Sequence, residues 1–204
     1  MVTDLLLPPM VRTLERSRLG RAALRGYRRW TRPRDPAKPR VLCVGFQKTG
    51  TSSFGIAMRT LGFSHYGYDP DLEHVLRDGD VERCVAFAGH FDSLDDLPWS
   101  MPEFVAAYRA RFPAARYVLL ERDETEWLRS YFGHFGPCCT PEEALRRLRN
   151  HQARMLDLLA GEAHFLRLNI CAGEGYEKLC PFLDVSVPAG AFPWENRRRL
   201  SPFR

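Results

Sequence analysis

Three groups of side chains in this sequence have the types and spacing to do chemistry. The first lies in the run Val41 to Ser53, VLCVGFQKTGTSS, where Gly45 and Gly50 stand five residues apart around Lys48 and hydroxyl residues follow at once. Backbone N–H groups without an intrahelical partner, the positive end of a helix dipole and one ammonium together make an anion site. Gln47, Lys48, Thr49, Gly50, Thr51 and Ser52 are its candidate binding residues. The second group is Arg122 with Ser130 eight residues on, a guanidinium fork matched to phosphate plus one hydroxyl donor. The third is His90, Asp92, Asp95 and Asp96, a histidine and three carboxylates, any of which can act as a general base. Each group also has a plain structural reading: a tight strand-to-helix turn, a helix cap beside a surface charge, and aspartates capping the next helix.

These residues need elements to hold them. Val41 to Val44 is a continuous apolar run, as a strand buried on both faces would be, and Gly45 breaks it. Thr51, Ser52 and Ser53 are positioned to cap a helix with an apolar face of Phe54, Ile56, Met58 and Leu61, ending near Gly62. A short connection or strand at residues 63–68 leads to a helix over 69–79 capped by Asp69 or Asp71. Val81 to Ala88 reads as the second strand, so that the polar stretch His90 to Pro98 forms its exit. A helix from Met101 to Phe112 follows, with Pro102 suited to its first turn, then a third strand at Tyr117 to Leu120 that ends just before Arg122. A helix through ETEWLRSYF, a long one from Pro141 to Leu159, a fourth strand at Phe165 to Leu168 and a last helix through GYEKLCPFL complete the pattern. Strands alternating with helices predict an α/β fold of three layers, a central parallel sheet flanked by helices, with ligands at the carboxyl ends of the strands.

Length and composition narrow the partners. The 204 residues suffice for one α/β domain, here expected over 40–204, preceded by a basic helix at 1–30 and a proline-rich linker to residue 39. That basic helix either lies on an anionic membrane surface or packs one face on the domain with its arginines in water. A net charge of +5 suits an anionic ligand or surface without identifying it, and no feature points to nucleic acid. Six cysteines show no metal-binding spacing, which argues for a reducing, cytoplasmic setting. The first residues, MVTDLLLPPM, lack a signal peptide's basic start, and no apolar run reaches the length of a membrane-spanning helix.

The glycine loop departs from that of nucleotide hydrolases in an informative way. Thr51 and Ser52 stand where the Lys-Ser/Thr pair should follow the second glycine, so the lysine beside the Mg²⁺-holding hydroxyl is missing and the paired clamp is broken, and a metal-free group transfer fits better. GFQKTGTSS resembles the 5′-phosphosulfate loop of the sulfotransferase family. Arg122, Asp123, Trp127 and Ser130 are similar to its 3′-phosphate signature, and the segment from Cys171 through Phe192-Pro193-Trp194-Glu195-Asn196 resembles the carboxyl-terminal part of a compact branch. The resemblance implies 3′-phosphoadenosine 5′-phosphosulfate as donor, 3′,5′-bisphosphoadenosine as product, and a hydroxyl or amine on a small molecule or glycan as acceptor, with no metal. It implies Asp96, two residues before Pro98, as base and a late arginine, Arg197, over the 3′-phosphate, while Lys48 in the loop is placed to act as the catalytic cation and Asp92, sooner after the expected strand, is the second choice of base. A Mg²⁺-dependent kinase with a degenerate loop and a non-catalytic nucleotide-binding adaptor are the alternatives. Neither the acceptor nor the oligomeric state is legible.

Overall fold

The computed structural model describes residues 33–195; the expected basic helix at 1–30 and Arg197 lie outside them. Strand β1 (Val41–Cys43) sets the layers, because its side chains point alternately to two cores. Leu42 joins one and Val41 and Cys43 the other, all three without solvent exposure. Four more strands complete a parallel sheet with it, β3 (Ser93–Leu94) and β4 (Arg116–Leu120) beside β1, and β2 (His65–Tyr66) and β5 (Phe165–Leu168) at the edges, in the order β2-β3-β1-β4-β5.

Seven α-helices are present among the described residues: α1 (Thr51–Thr60), α2 (Pro70–Arg77), α3 (Val81–Ala88), α4 (Pro102–Arg111), α5 (Glu124–Phe135), α6 (Pro141–Leu158) and α7 (Tyr176–Leu183). Leu42, Leu94, Tyr117 and Leu119 of the sheet pack with residues of α2, α3, α4 and α6. Val41, Cys43, Val118, Leu120 and Leu168 pack on the other face with Phe54, Ala57 and Met58 of α1 and Leu179, Cys180 and Leu183 of α7. The expected three-layer α/β fold with a parallel central sheet is therefore present. Because β3 and β4 flank β1 on opposite sides, the chain reverses direction across the sheet at β1. In open parallel sheets the ligand crevice forms at that point, outside the carboxyl ends of the strands.

One element differs from expectation. Val81–Ala88 is a helix, not a strand: Asp80 caps it by accepting from the Arg83 N–H, and Cys84, Val85 and Ala88 form its buried face while Glu82, Arg83 and Ala86 are exposed. The short apolar run Val85-Ala86-Phe87 reads equally well as a strand in isolation, and the cap decides against it. The strand that pairs with β1 is the two-residue β3, inside the polar stretch. Asp92 therefore precedes the strand, while Asp95 and Asp96 still follow it.

Candidate active site

Between β1 and α1 the backbone takes conformations that glycine favours. Gly50 has φ 117° and is the N-cap of α1, while Lys48 has φ 67°, unusual for a residue with a side chain. The hydroxyl of Thr49 donates to the Phe46 carbonyl at 2.6 Å and tightens the turn. Gly45 admits the close approach of β4: a Cβ there would stand 2.7 Å from Leu120 Cβ and 2.8 Å from Thr49 Oγ1.

The expectation that Thr51, Ser52 or Ser53 caps α1 is not met, because no side chain caps its first turn. Those hydroxyls have other work. Thr51 donates to Asp96 Oδ2 at 3.2 Å, Ser53 Oγ accepts the Glu195 N–H at 3.0 Å, and Ser52 is exposed. The first hydrogen bond of α1 runs from Phe54 N–H to the Gly50 carbonyl, so the preceding amides form the donor-rich helix start on which anions bind.

Helices α5 and α6 fasten the outer side of the loop. Trp127 donates its indole N–H to the Gln47 carbonyl at 2.8 Å, and His151 Nε2 lies 2.8 Å from the Val44 carbonyl. Phe46 is packed between them, its ring 6.0 Å from that of Trp127 and 4.9 Å from that of His151. Burial holds the His151 imidazole below its ordinary value, in keeping with a neutral ring donating to a carbonyl. Sequence reasoning missed His151. A signal was available, since it falls on the stripe Ala144, Leu148, Met155 that α6 buries.

Arg122 reaches the same loop from β4, donating from Nη1 to the Lys48 carbonyl at 3.0 Å. Its Nε stands 3.8 Å from Glu126 Oε2 and is buried without a hydrogen-bond partner among the described residues. Such an orphaned donor is costly unless an acceptor comes to it. Ser130 is half-buried on α5, three residues beyond Trp127 and so on the same helix face. Lys48 and Arg122, 74 residues apart in sequence, thus meet at one loop.

The carboxylates divide. Asp96 is at the loop: its Oδ2 accepts from Thr51, its Oδ1 from the Leu97 N–H at 2.9 Å, and its φ is 66°. Burial, then the neighbouring Asp95, push its carboxyl above the usual carboxylate range, while the Leu97 N–H, Thr51 and Lys48 oppose the shift. Asp92 must be corrected. It stands at the amino end of β3, where its oxygens accept the Asp35 N–H at 3.0 Å and the Ser64 N–H at 2.8 Å, with Arg34 at 3.9 Å. The opposite end of the strand carries the loop, so Asp92 anchors the amino end of the sheet and is not brought to Lys48 and Arg122, as its place after a supposed strand suggested. His90 is exposed just beyond α3. No curated protein matches the chain. A family model described as a sulfotransferase domain matches residues 40–141 and 131–200.

Proposed function

The chain belongs to the sulfotransferase domain family, and on that premise we propose that it moves a sulfuryl group from 3′-phosphoadenosine 5′-phosphosulfate to a hydroxyl or amine of a small-molecule or glycan acceptor. The observation that carries this reading is the meeting of Arg122 with the Lys48 loop, which joins two cationic clusters into one surface able to grip both ends of a doubly phosphorylated adenosine. The orphaned Arg122 Nε and the uncapped start of α1 are donors of the kind such a nucleotide satisfies.

In this reading the donor supplies an activated sulfuryl group on a phosphate leaving group. The amides of Gly50 to Ser52 and the Lys48 ammonium bind the 5′ end and neutralise charge that grows on the leaving oxygen. Arg122 and Ser130 hold the 3′-phosphate, and Arg197 lies outside the described residues. Asp96, ionised, takes the proton from the acceptor, and Thr51 orients its carboxylate. No step in this scheme asks for a metal. The six cysteines are all free thiols, which supports a reducing compartment such as the cytoplasm.

Isothermal titration with 3′,5′-bisphosphoadenosine tests the proposal. Saturable binding at micromolar ligand is expected, and no heat at high micromolar ligand would overturn it. Tight binding with no transfer to phenols, alcohols, amines or glycans would select the non-catalytic adaptor. Mg²⁺-dependent ATP turnover would select the kinase.

A further inference from the structure

The turn between α5 and α6 carries two cysteines in succession, and neither has a part in the proposed transfer. Cys138 is exposed and Cys139 half-buried. The Cys138 sulfur stands 3.9 Å from that of Cys139 and 3.8 Å from the Tyr131 hydroxyl. Hydrogen bonds pin the backbone on both sides of the pair. The Gly136 N–H donates to the Phe132 carbonyl at the end of α5, and the Cys138 N–H donates to the Gly136 carbonyl, each at 2.9 Å. Thr140 and Glu143 then close a reciprocal cap at the start of α6. The two thiols are thus presented side by side on a fixed turn.

The other four thiols are poor competitors for a reagent. Cys43, Cys84 and Cys180 are buried, and Cys171 is half-buried. Burial pushes all four up, Cys84 to about 11, and the thiolate is the species that attacks a disulfide. Burial and then the neighbouring Cys138 also push Cys139 up, while Arg147 of α6 opposes the shift. Tyr131 and Glu143 are the other titratable groups beside the pair. Cys138, the exposed member, is placed to react first, with Cys139 waiting beside it.

We propose that Cys138 and Cys139 form a reversible dithiol site, closed to a disulfide by exchange with a low-molecular-weight disulfide such as that of glutathione. The Cys138 thiolate attacks one sulfur of the small disulfide, and the first small thiol leaves with the bonding electron pair and takes up a proton. The Cys139 thiolate then attacks Cys138 Sγ, breaks the mixed disulfide and releases the second small thiol. The protein's pair is oxidised, the small disulfide is reduced by the same two electrons, and both protons end on the released thiols. Adjacent Cα atoms are about 3.8 Å apart, short of the roughly 4.4–6.8 Å that disulfides prefer, so the closed bond is strained and easily reduced again. Such a site stays open in a reducing setting and closes when the small disulfide accumulates. Cys139 and Phe46 pack against the same cluster of Trp127, Tyr131, Ala144 and Leu148, so closure takes place against the packing that fastens the glycine loop.

Mass measurement reads this directly. The full-length protein is incubated with millimolar glutathione disulfide under native conditions, free thiols are blocked with iodoacetamide, and a tryptic digest is weighed without reduction. Residues 130–146 form one tryptic peptide that holds both cysteines and no other. In the wild type this peptide should lose two hydrogens and carry neither glutathione nor the blocking group, and reduced glutathione added before blocking should restore both thiols. Cys139→Ser should stop at a glutathione adduct on Cys138, and Cys138→Ser should react roughly 10-fold more slowly or less. A glutathione adduct that persists on the wild-type protein, or two blocked thiols after incubation, would overturn the proposal. Equal reaction rates in Cys138→Ser and the wild type would overturn it too. The readout is the mass of the peptide, so the result is independent of the sulfotransferase reading.

Discussion

Asp96 is held in a state that a free aspartate would not choose. Its left-handed backbone costs energy, and its carboxyl keeps its proton above the ordinary value because of burial and Asp95. The sign of the consequence follows from linkage. A group whose folded value is raised contributes stability that is complete below the unfolded value, 3.8 here, and lost as pH rises through the folded one. At neutral pH the ionised Asp96 therefore weighs against the fold. Asp96→Asn removes the charge, keeps an oxygen for the Leu97 N–H and accepts the left-handed conformation more readily. Its Tm at pH 7 should rise by about 2 °C, while turnover falls by roughly 100-fold or more. Calorimetry beside an activity assay checks both, and a lower Tm would refute the account. The wild-type kcat/KM should climb with pH through the same raised titration, since only the carboxylate takes a proton. Arg122 offers a cleaner binding test. Arg122→Ala removes a charged donor from the nucleotide but also frees the Lys48 carbonyl, and bisphosphoadenosine affinity should drop by about 1.5–3 kcal/mol, or roughly 10- to 150-fold. Unchanged affinity in calorimetric titration would remove Arg122 from the site.

At the scale of elements, the loop owes its shape to helices that lie far from it in sequence. Glycines, Lys48 and the apolar strand before them are local signals, and so the strand, loop and helix were legible in the residues themselves. What is fastened to that loop was not, because Trp127 and His151 reach it only after two further helices have folded back. The misread helix α3 has a different cause. Its apolar core is three residues long, too short to separate a period of 2 from one of 3.6, and its Asp80 cap was the deciding local feature. With α3 taken as a strand, Asp92 fell on the wrong side of the sheet. The clamp from α6 makes its own prediction. His151→Leu leaves the Val44 carbonyl without its imidazole partner and should cost about 1–3 kcal/mol, measured by urea unfolding at pH 7.5. The imidazole is held below its ordinary 6.5, so its contribution is present above that pH and lost as pH falls through the lower folded value. Wild-type stability should therefore decline below pH 6.5 with a slope that His151→Leu lacks. Equal slopes in the two proteins would show that the ring is not a buried neutral donor.

For the whole molecule, the sheet has two ends with opposite duties, and the boundary of the folded unit follows from the end away from the site. Residues 33–39 read as a proline-rich linker, yet they close the amino edge of the sheet. The Asp35 N–H donates to Asp92, Lys38 Nζ to the Leu61 carbonyl at 3.0 Å, and Lys38 also lies over the Phe63 ring. Next along, Arg40 donates to the carbonyls of Gly89 and Phe91 and covers the Phe112 ring. Asp92 is the hub: its carboxylate joins this segment to Ser64, and its carbonyl accepts the Val41 N–H at 2.7 Å, tying the start of β1 to β3. Removing the segment would leave a buried carboxylate short of one donor and of the nearby Arg34, a loss that buried charge tolerates poorly. We therefore expect a chain of residues 33–204 to be more stable than any shorter one. One starting at Arg40 should lose about 1–3 kcal/mol from the Asp92 donor alone. Because the proposed site lies at the carboxyl ends of the strands, any shorter chain that still folds should bind bisphosphoadenosine as the full protein does. Thermal scans and titration on the two truncations decide it. Equal stability would return the domain boundary to residue 40, and a loss of nucleotide affinity on removing only residues 1–32 would show that the basic amino-terminal segment reaches the site.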